Sequence, residues 1–149
     1  MKFETEISEK NSPKEYCNWE EVESLTRTIA DKIRRRSNKK YDVILAITKG
    51  GIVPARLMAR ELDIDYIQLI PVRNKKLYKE EMPHLLKGKK YLIIDEIYDT
   101  GDTFCMVYDV VRTFDCEFAF LMSRDEHNNK PMYIGKVLNH KKWIVFPWE

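Results

Sequence analysis

The stretch Tyr91–Thr103, YLIIDEIYDTGDT, limits the folds open to this chain more than any other. Tyr91 to Ile94 is a short apolar run with β-branched residues, the pattern of a strand buried on both faces. Asp95 and Glu96 follow at its end. Asp99-Thr100-Gly101-Asp102-Thr103 then supplies hydroxyls, a glycine and backbone amides, and an apolar helical pattern resumes at Phe104. A hydroxyl-rich turn that opens a helix binds anions, because unbonded N–H groups and the helix dipole both face the ligand. A carboxylate pair just upstream suits sugar hydroxyls, which donate to its oxygens. Together they describe a site for a phosphate on a ribose. The alternative is an ordinary strand-to-helix turn with acidic capping residues.

The rest of the chain repeats the strand–loop–helix arrangement. Asn18 has the character of an N-cap, with Glu21 completing a capping box, and Val22, Leu25, Ile29 and Ile33 follow at helical spacing to about Arg36. Arg34, Arg35 and Arg36 form a charge run suited to a helix C-terminus. Residues 1–13 are polar and predict an extended arm, and Lys14 to Cys17 a short edge strand. Asp42 to Ile47 predicts a second buried strand. Thr48-Lys49-Gly50-Gly51 is its exit loop, and Ile52 to Leu62 a helix with Pro54 in its first turn. Glycines before a helix let backbone amides approach an anion, and Lys49 adds a cation.

Asp65 to Val72 predicts a strand ending near Pro71. Residues 73–90 are basic and unpatterned, and so predict a mobile or functional loop. A helix over Phe104 to Phe114, a strand over Glu117 to Met122, a polar turn at 123–131 and short strands at Met132 to Val137 and Trp143 to Phe146 complete the chain. The alternation gives an α/β fold with a mainly parallel sheet, whose ligands gather beyond the strands' carboxyl ends. The loops at 48–51, 73–90, 95–103 and 123–131 all leave strands there.

Composition narrows the class. With 149 residues, 44% hydrophobic and 34% charged, the chain suits one soluble globular domain over residues 1–149. A net charge of +2 is too small to argue for a nucleic-acid partner. No apolar run approaches the length of a membrane span, and the N-terminus lacks a signal peptide's hydrophobic core. Cys17, Cys105 and Cys116 have no metal-ligand spacing and predict reduced, mostly buried thiols of a cytoplasmic protein.

The apolar strand, acidic pair, two spacers and Asp-Thr-Gly-x-Thr of residues 91–103 resemble the PRPP-binding signature of type I phosphoribosyltransferases. The resemblance covers most of residues 41–149, with a weak match at 73–90 and a divergent N-terminal arm. It implies the family fold, a mainly parallel β-sheet flanked by helices with a small C-terminal hood at about 123–149. It also implies transfer of ribose 5-phosphate from PRPP to a nitrogen base, with pyrophosphate released. Asp95 and Glu96 would then hold the ribose hydroxyls, directly or through Mg²⁺. Asp99, Thr100, Gly101, Asp102 and Thr103 would form the 5-phosphate loop, with the Asp102 side chain turned to solvent. Lys49 and Gly50 would bind pyrophosphate, beside a cis peptide at Thr48–Lys49. Asp99 would handle the proton of the base's reacting nitrogen. Residues 73–90 would be a flexible lid, although the Ser-Tyr pair of many purine-specific members is absent and Leu77-Tyr78 is the nearest pair.

The pattern FLMSRDEHNNKP followed by KKWIVFPWE resembles the hood of bacterial and archaeal xanthine-, guanine- and hypoxanthine-type members. By that likeness Trp143 would stack on the purine, Ile144 would lend its backbone, and Glu149 would accept from a 2-amino group. Arg124 stands where these hoods carry a lysine that donates to the 6-oxo oxygen. The implied activity is purine salvage on a 6-oxopurine in the cytoplasm. The implied partners are PRPP and a purine base, without nucleic acid or membrane, in a homodimer or higher homo-oligomer. A phosphoribosyltransferase for another base, or a non-catalytic PRPP- or nucleotide-binding regulator, are the alternatives.

Overall fold

The computed structural model describes residues 13–36, 40–126 and 132–149. Apart from Pro13, the amino-terminal arm lies outside these residues, as do residues 127–131 of the polar turn.

The core is a five-stranded sheet. Its strands are β2 (Val43–Ile47), β3 (Ile67–Ile70), β6 (Lys90–Tyr98), β7 (Asp115–Ser123) and β8 (Met132–Val137), in the order β3-β2-β6-β7-β8. Every neighbouring pair is parallel, as alternating strands and helices require. Alternation along the strands splits the interior. Ile44, Ala46, Leu92, Ile94, Ala119 and Leu121 face helices α1 (Trp19–Arg36) and α2 (Ile52–Leu62). Leu45, Ile47, Ile93, Phe118 and Phe120 face helix α3 (Asp102–Val111) through Phe104, Val107 and Val111. Each of the larger side chains among them contributes about 1.5–3 kcal/mol by leaving water.

Helix α1 starts where the capping residues place it: Asn18 Oδ1 accepts the Glu21 amide at 2.8 Å. Val22, Leu25, Ile29 and Ile33 are buried on one face, and Arg34 to Arg36 occupy the last turn. Pro54 sits inside the first turn of α2, where a missing N–H does no harm. The segment before α1 forms β1 (Lys14–Tyr16), which pairs in parallel with β9 (Trp143–Val145) as a separate two-stranded sheet. Residues 13–17 are therefore stitched to the hood, with Trp143 N donating to Pro13 O and Cys17 N to Val145 O, both at 2.9 Å. Cys17 is buried, whereas Cys105 is exposed on α3, against the expectation of a buried thiol.

Two elements differ from the sequence expectation. Strand β6 runs on from the apolar Tyr91–Ile94 through Asp95 and Glu96 to Tyr98. Its pairing with β2 stops at Ala46↔Ile94, while pairing with β7 continues to Tyr98↔Ser123. The acidic pair thus rides on a strand with one flank open over the 48–51 loop. The second difference is the 73–90 segment. Pro71 ends β3, and the chain then forms a hairpin of β4 (Val72–Arg73) and β5 (Lys76–Leu77), followed by a 3-10 turn at Lys79–Glu81. Leu77 and Leu85 are buried in the second core cluster. Leu86 N donates to Tyr91 Oη at 2.8 Å, and Lys87 Nζ donates to Thr113 O at 2.6 Å. The segment expected as an unpatterned loop is a hairpin and strap anchored by two leucines.

Candidate active site

Four connections converge beyond the carboxyl ends of the central strands. The 48–51 loop leaves β2 at the buried Ile47 and returns through Gly51 N–H to Ile47 O at 2.8 Å. The Thr48–Lys49 peptide is cis. Thr48 Oγ1 accepts the Val72 amide at 3.1 Å, so the loop is tied to the root of the hairpin. Gly50 packs against Glu96: a Cβ there would lie 2.5 Å from Glu96 Cδ and 2.7 Å from its Oε1, so any other residue would push that carboxylate aside. The loop and the acidic pair are thus in direct contact.

At the end of β6, Gly101 takes φ +93, a conformation that strains any residue with a Cβ, and caps α3. Thr100 Oγ1 accepts the Asp102 amide at 3.3 Å, and Asp102 is exposed. Thr48, Gly50, Lys75, Asp95, Glu96 and the run Asp99–Thr103 wall a cleft of about 310 Å³ with Trp143 at its edge. A second cleft of about 610 Å³ opens under the hood, between Arg124, Asp125, Leu138 and the 139–141 segment. Asp99, Thr100 and Trp143 belong to both walls. They mark the junction of the cleft at the 99–103 turn with a wider one bordered by an indole.

The carboxylates are electrostatically loaded. Burial pushes Asp95 up to about 8 against the opposing pull of the Glu96 amide, with the Glu96 charge adding to the rise. That amide donates to Asp95 Oδ1 at 2.8 Å. Burial and then the charge of Glu149 push Glu96 up to about 7, while the Trp148 indole pulls it down. Two enclosed oxygen donors that resist ionisation are groups a hard cation would relieve. Among the described residues no cluster of three or more His, Cys, Asp or Glu is placed to hold a metal ion. A pair of carboxylates at a cleft fits Mg²⁺, which binds through one or two carboxylates and completes its shell with substrate oxygens and water.

The structure brings most of the predicted residues together and leaves three aside. Asp95, Glu96, Asp99, Thr100, Gly101, Asp102, Thr103 and Gly50 share the first cleft, and Arg124 and Trp143 border the second. Lys49 is exposed and stands outside the cleft wall. Ile144, next along β9 from Trp143, turns its side chain into the core. Glu149 stands outside both walls, and its Oε1 accepts the Phe146 amide at 3.2 Å. Arg124 is held rather than free. Its Nε donates to Asp99 Oδ1 at 3.2 Å, and its two terminal nitrogens donate to the His140 and Lys142 carbonyls, each at 2.8 Å.

Two residues escaped sequence reasoning. Lys75 reaches the first cleft from the tip of the hairpin, where both Asn74 (φ 52) and Lys75 (φ 59) are left-handed. Such a turn normally carries Asn-Gly, so Asn-Lys gives a poor hairpin signal. Trp148 donates its indole N–H to Glu96 Oε2 at 2.9 Å across 52 residues of sequence. No local pattern could report that contact.

The Phosphoribosyl transferase domain family matches residues 12–149. A xanthine-guanine phosphoribosyltransferase of Cereibacter sphaeroides is 28% identical over 148 residues, covering 90% of this chain and 86% of its own. Among solved structures, a purine phosphoribosyltransferase from Pyrococcus horikoshii is 32% identical, with a TM-score of 0.71 over 91% of this chain and 93% of that one. A xanthine-guanine-hypoxanthine phosphoribosyltransferase of Helicobacter pylori has the same fold, with a TM-score of 0.76 at 17% identity over 91% of this chain and 93% of its own.

Proposed function

The chain belongs to the phosphoribosyl transferase domain family, as a type I phosphoribosyltransferase related to the xanthine-guanine enzymes, and from that premise we propose that it transfers ribose 5-phosphate from PRPP to a 6-oxopurine in purine salvage. One observation carries the proposal: the cleft at the 99–103 turn and the hood cleft meet at Asp99, Thr100 and Trp143. A ribose phosphate in the first and a planar base in the second would place the reacting carbon and nitrogen at that shared wall.

In such a transfer the bond from the ribosyl carbon to pyrophosphate breaks, and a bond from that carbon to a purine nitrogen forms. The transition state carries positive charge on the ribose and negative charge on the leaving group. The turn Thr100–Thr103 and the start of α3 hold the 5-phosphate by amides, hydroxyls and the helix dipole. Asp95 and Glu96 lie beside the ribose and orient its hydroxyls. Asp95 and Glu96 would also hold Mg²⁺ bound with PRPP, which would supply positive charge against the negative charge developing on the leaving group. Asp99, oriented by Arg124 Nε, is the carboxylate at the junction and takes the proton from the base nitrogen. The 48–51 loop faces the leaving group, with the bare Cα of Gly50 leaving room for the Glu96 carboxylate.

The test is release of pyrophosphate from PRPP with a panel of purine and pyrimidine bases, in the wild type and in Asp99→Asn. Turnover with purines, and a kcat reduced by roughly 10²-fold in the variant, would agree with the assigned roles. Absence of purine-dependent turnover would sink the reading, and an effect on KM alone would make Asp99 a binding residue.

Lys75 belongs to the same scheme as a cation for the pyrophosphate, carried at the tip of the hairpin. A left-handed lysine is disfavoured, and glycine adopts this backbone freely. Lys75→Gly should therefore leave folding stability within about 1 kcal/mol. The KM for PRPP should rise roughly tenfold, the size of one hydrogen bond to a charged group. Thermal melts and initial-rate kinetics on the same preparation check both, and an unchanged KM would remove Lys75 from the site.

A further inference from the structure

We propose that Trp148 is a positioning residue that holds the Glu96 carboxylate in its working orientation through the indole N–H. The inference rests on the PRPP site described above and adds a residue to it. Glu96 is gripped from two sides. On one side lies the bare Cα of Gly50, where any Cβ would come within 2.5 Å of the carboxylate carbon. On the other, Trp148 Nε1 donates to Oε2 at 2.9 Å. The bond to Oε2 and the close approach of Gly50 to Cδ and Oε1 together select one rotamer of the carboxylate.

The indole is itself fixed. It stacks on Phe146, with ring centroids 5.1 Å apart and planes 10° apart, and Phe146 is 2% exposed. Trp19, at the start of α1, flanks it at 5.9 Å. The turn that carries it is closed by Glu149 N donating to Phe146 O at 3.1 Å and by Phe146 N donating to Glu149 Oε1. Trp148 does not border the PRPP cleft, so it can influence a ligand there only through Glu96. Two packed aromatic rings and a closed turn support the one N–H that the site uses.

Trp148→Phe tests this, because it keeps a ring to stack on Phe146 and deletes the donor. PRPP binding with Mg²⁺, measured by calorimetry, should weaken roughly tenfold, as for loss of one bond to a charged acceptor. The KM for the purine base should change less than about threefold, since Trp143 and Arg124 are untouched. A mere packing role would weaken PRPP and base alike, and that result, or unchanged PRPP binding, would overturn the proposal. Trp148→Leu, which also lacks a donor, is judged by the same two numbers if the phenylalanine variant does not fold. Failure of the underlying site would look different, as a wild-type protein that does not bind PRPP at all.

Discussion

Replacing Asp95 by Asn and Glu96 by Gln will abolish turnover and, in the same protein, raise the melting temperature of the ligand-free state. The first effect follows from losing both carboxylates of the ribose site, a loss of roughly 10³-fold or more when several transition-state contacts go together. The second follows from electrostatics. An isolated Asp ionises near 3.8, but burial pushes Asp95 up to about 8, and Glu96 rises from 4.5 to about 7. Above about pH 4 the unfolded chain ionises both groups while the fold resists, so folding stability falls as pH rises. For Asp95 that fall is complete only near pH 8, and for Glu96 near pH 7.

The full difference for Asp95 would be several kcal/mol, at about 1.36 kcal/mol per pH unit, and is an upper bound because water and side-chain relaxation reduce it. A realised gain of about 2 kcal/mol corresponds to roughly 4–8 °C for a domain of this size. Asparagine retains an oxygen to accept the residue 96 amide, and glutamine one to accept the Trp148 indole, so neither substitution orphans a donor. Thermal melts without Mg²⁺ or PRPP from pH 4 to pH 8 check the sign. The variant should gain most at pH 8 and converge on the wild type towards pH 4. A variant that melts lower at pH 8, or folds and keeps wild-type turnover, would refute the reading of this pair as a strained functional site.

How much of this was legible in the sequence depended on range. The Asn18 cap, the α1 face, the 48–51 turn and the strand-to-helix turn at 99–103 are specified by residues within a few positions of one another, and all form as the pattern predicts. Strand β6 outruns its apolar segment because β7 continues to pair beside it, a tertiary cause that the polar residues 95–96 conceal. The 73–90 segment looked unpatterned because its anchors are single leucines, 77 and 85, in a charged background, and its turn lacks glycine. Both side-chain clamps of the site, Trp148 on Glu96 and Arg124 on the hood carbonyls, span distant sequence and carry no periodic signal. The turns that line the first cleft were readable because they are local. The groups that clamp the site were not, because they arrive from elsewhere in the fold.

Arg124 carries the last prediction, on the choice of base. Its guanidinium has five N–H donors, and three are engaged by Asp99 and by the His140 and Lys142 carbonyls, which leaves two for a ligand. It therefore does two things at once: it pins the 139–142 segment that walls the hood cleft, and it offers donors and no acceptor to whatever enters. A purine with a 6-oxo group can accept from it, whereas the amino group of adenine would leave a donor facing a donor. An unpaired donor in a closed site costs about 1–3 kcal/mol, so wild-type kcat/KM should favour guanine, hypoxanthine or xanthine over adenine by roughly tenfold to a hundredfold. In Arg124→Ala the two carbonyls and Asp99 lose their partner together, and kcat/KM should fall about 10²-fold or more for every 6-oxopurine. In Arg124→Lys one compact ammonium cannot span all three acceptors, but it still presents only donors. That variant should lose roughly tenfold in rate and keep the preference over adenine. Steady-state kinetics with the four bases in the three proteins decides the matter. Adenine as the best wild-type substrate, or an alanine variant with undiminished rates, would show that the hood selects its base by some other group.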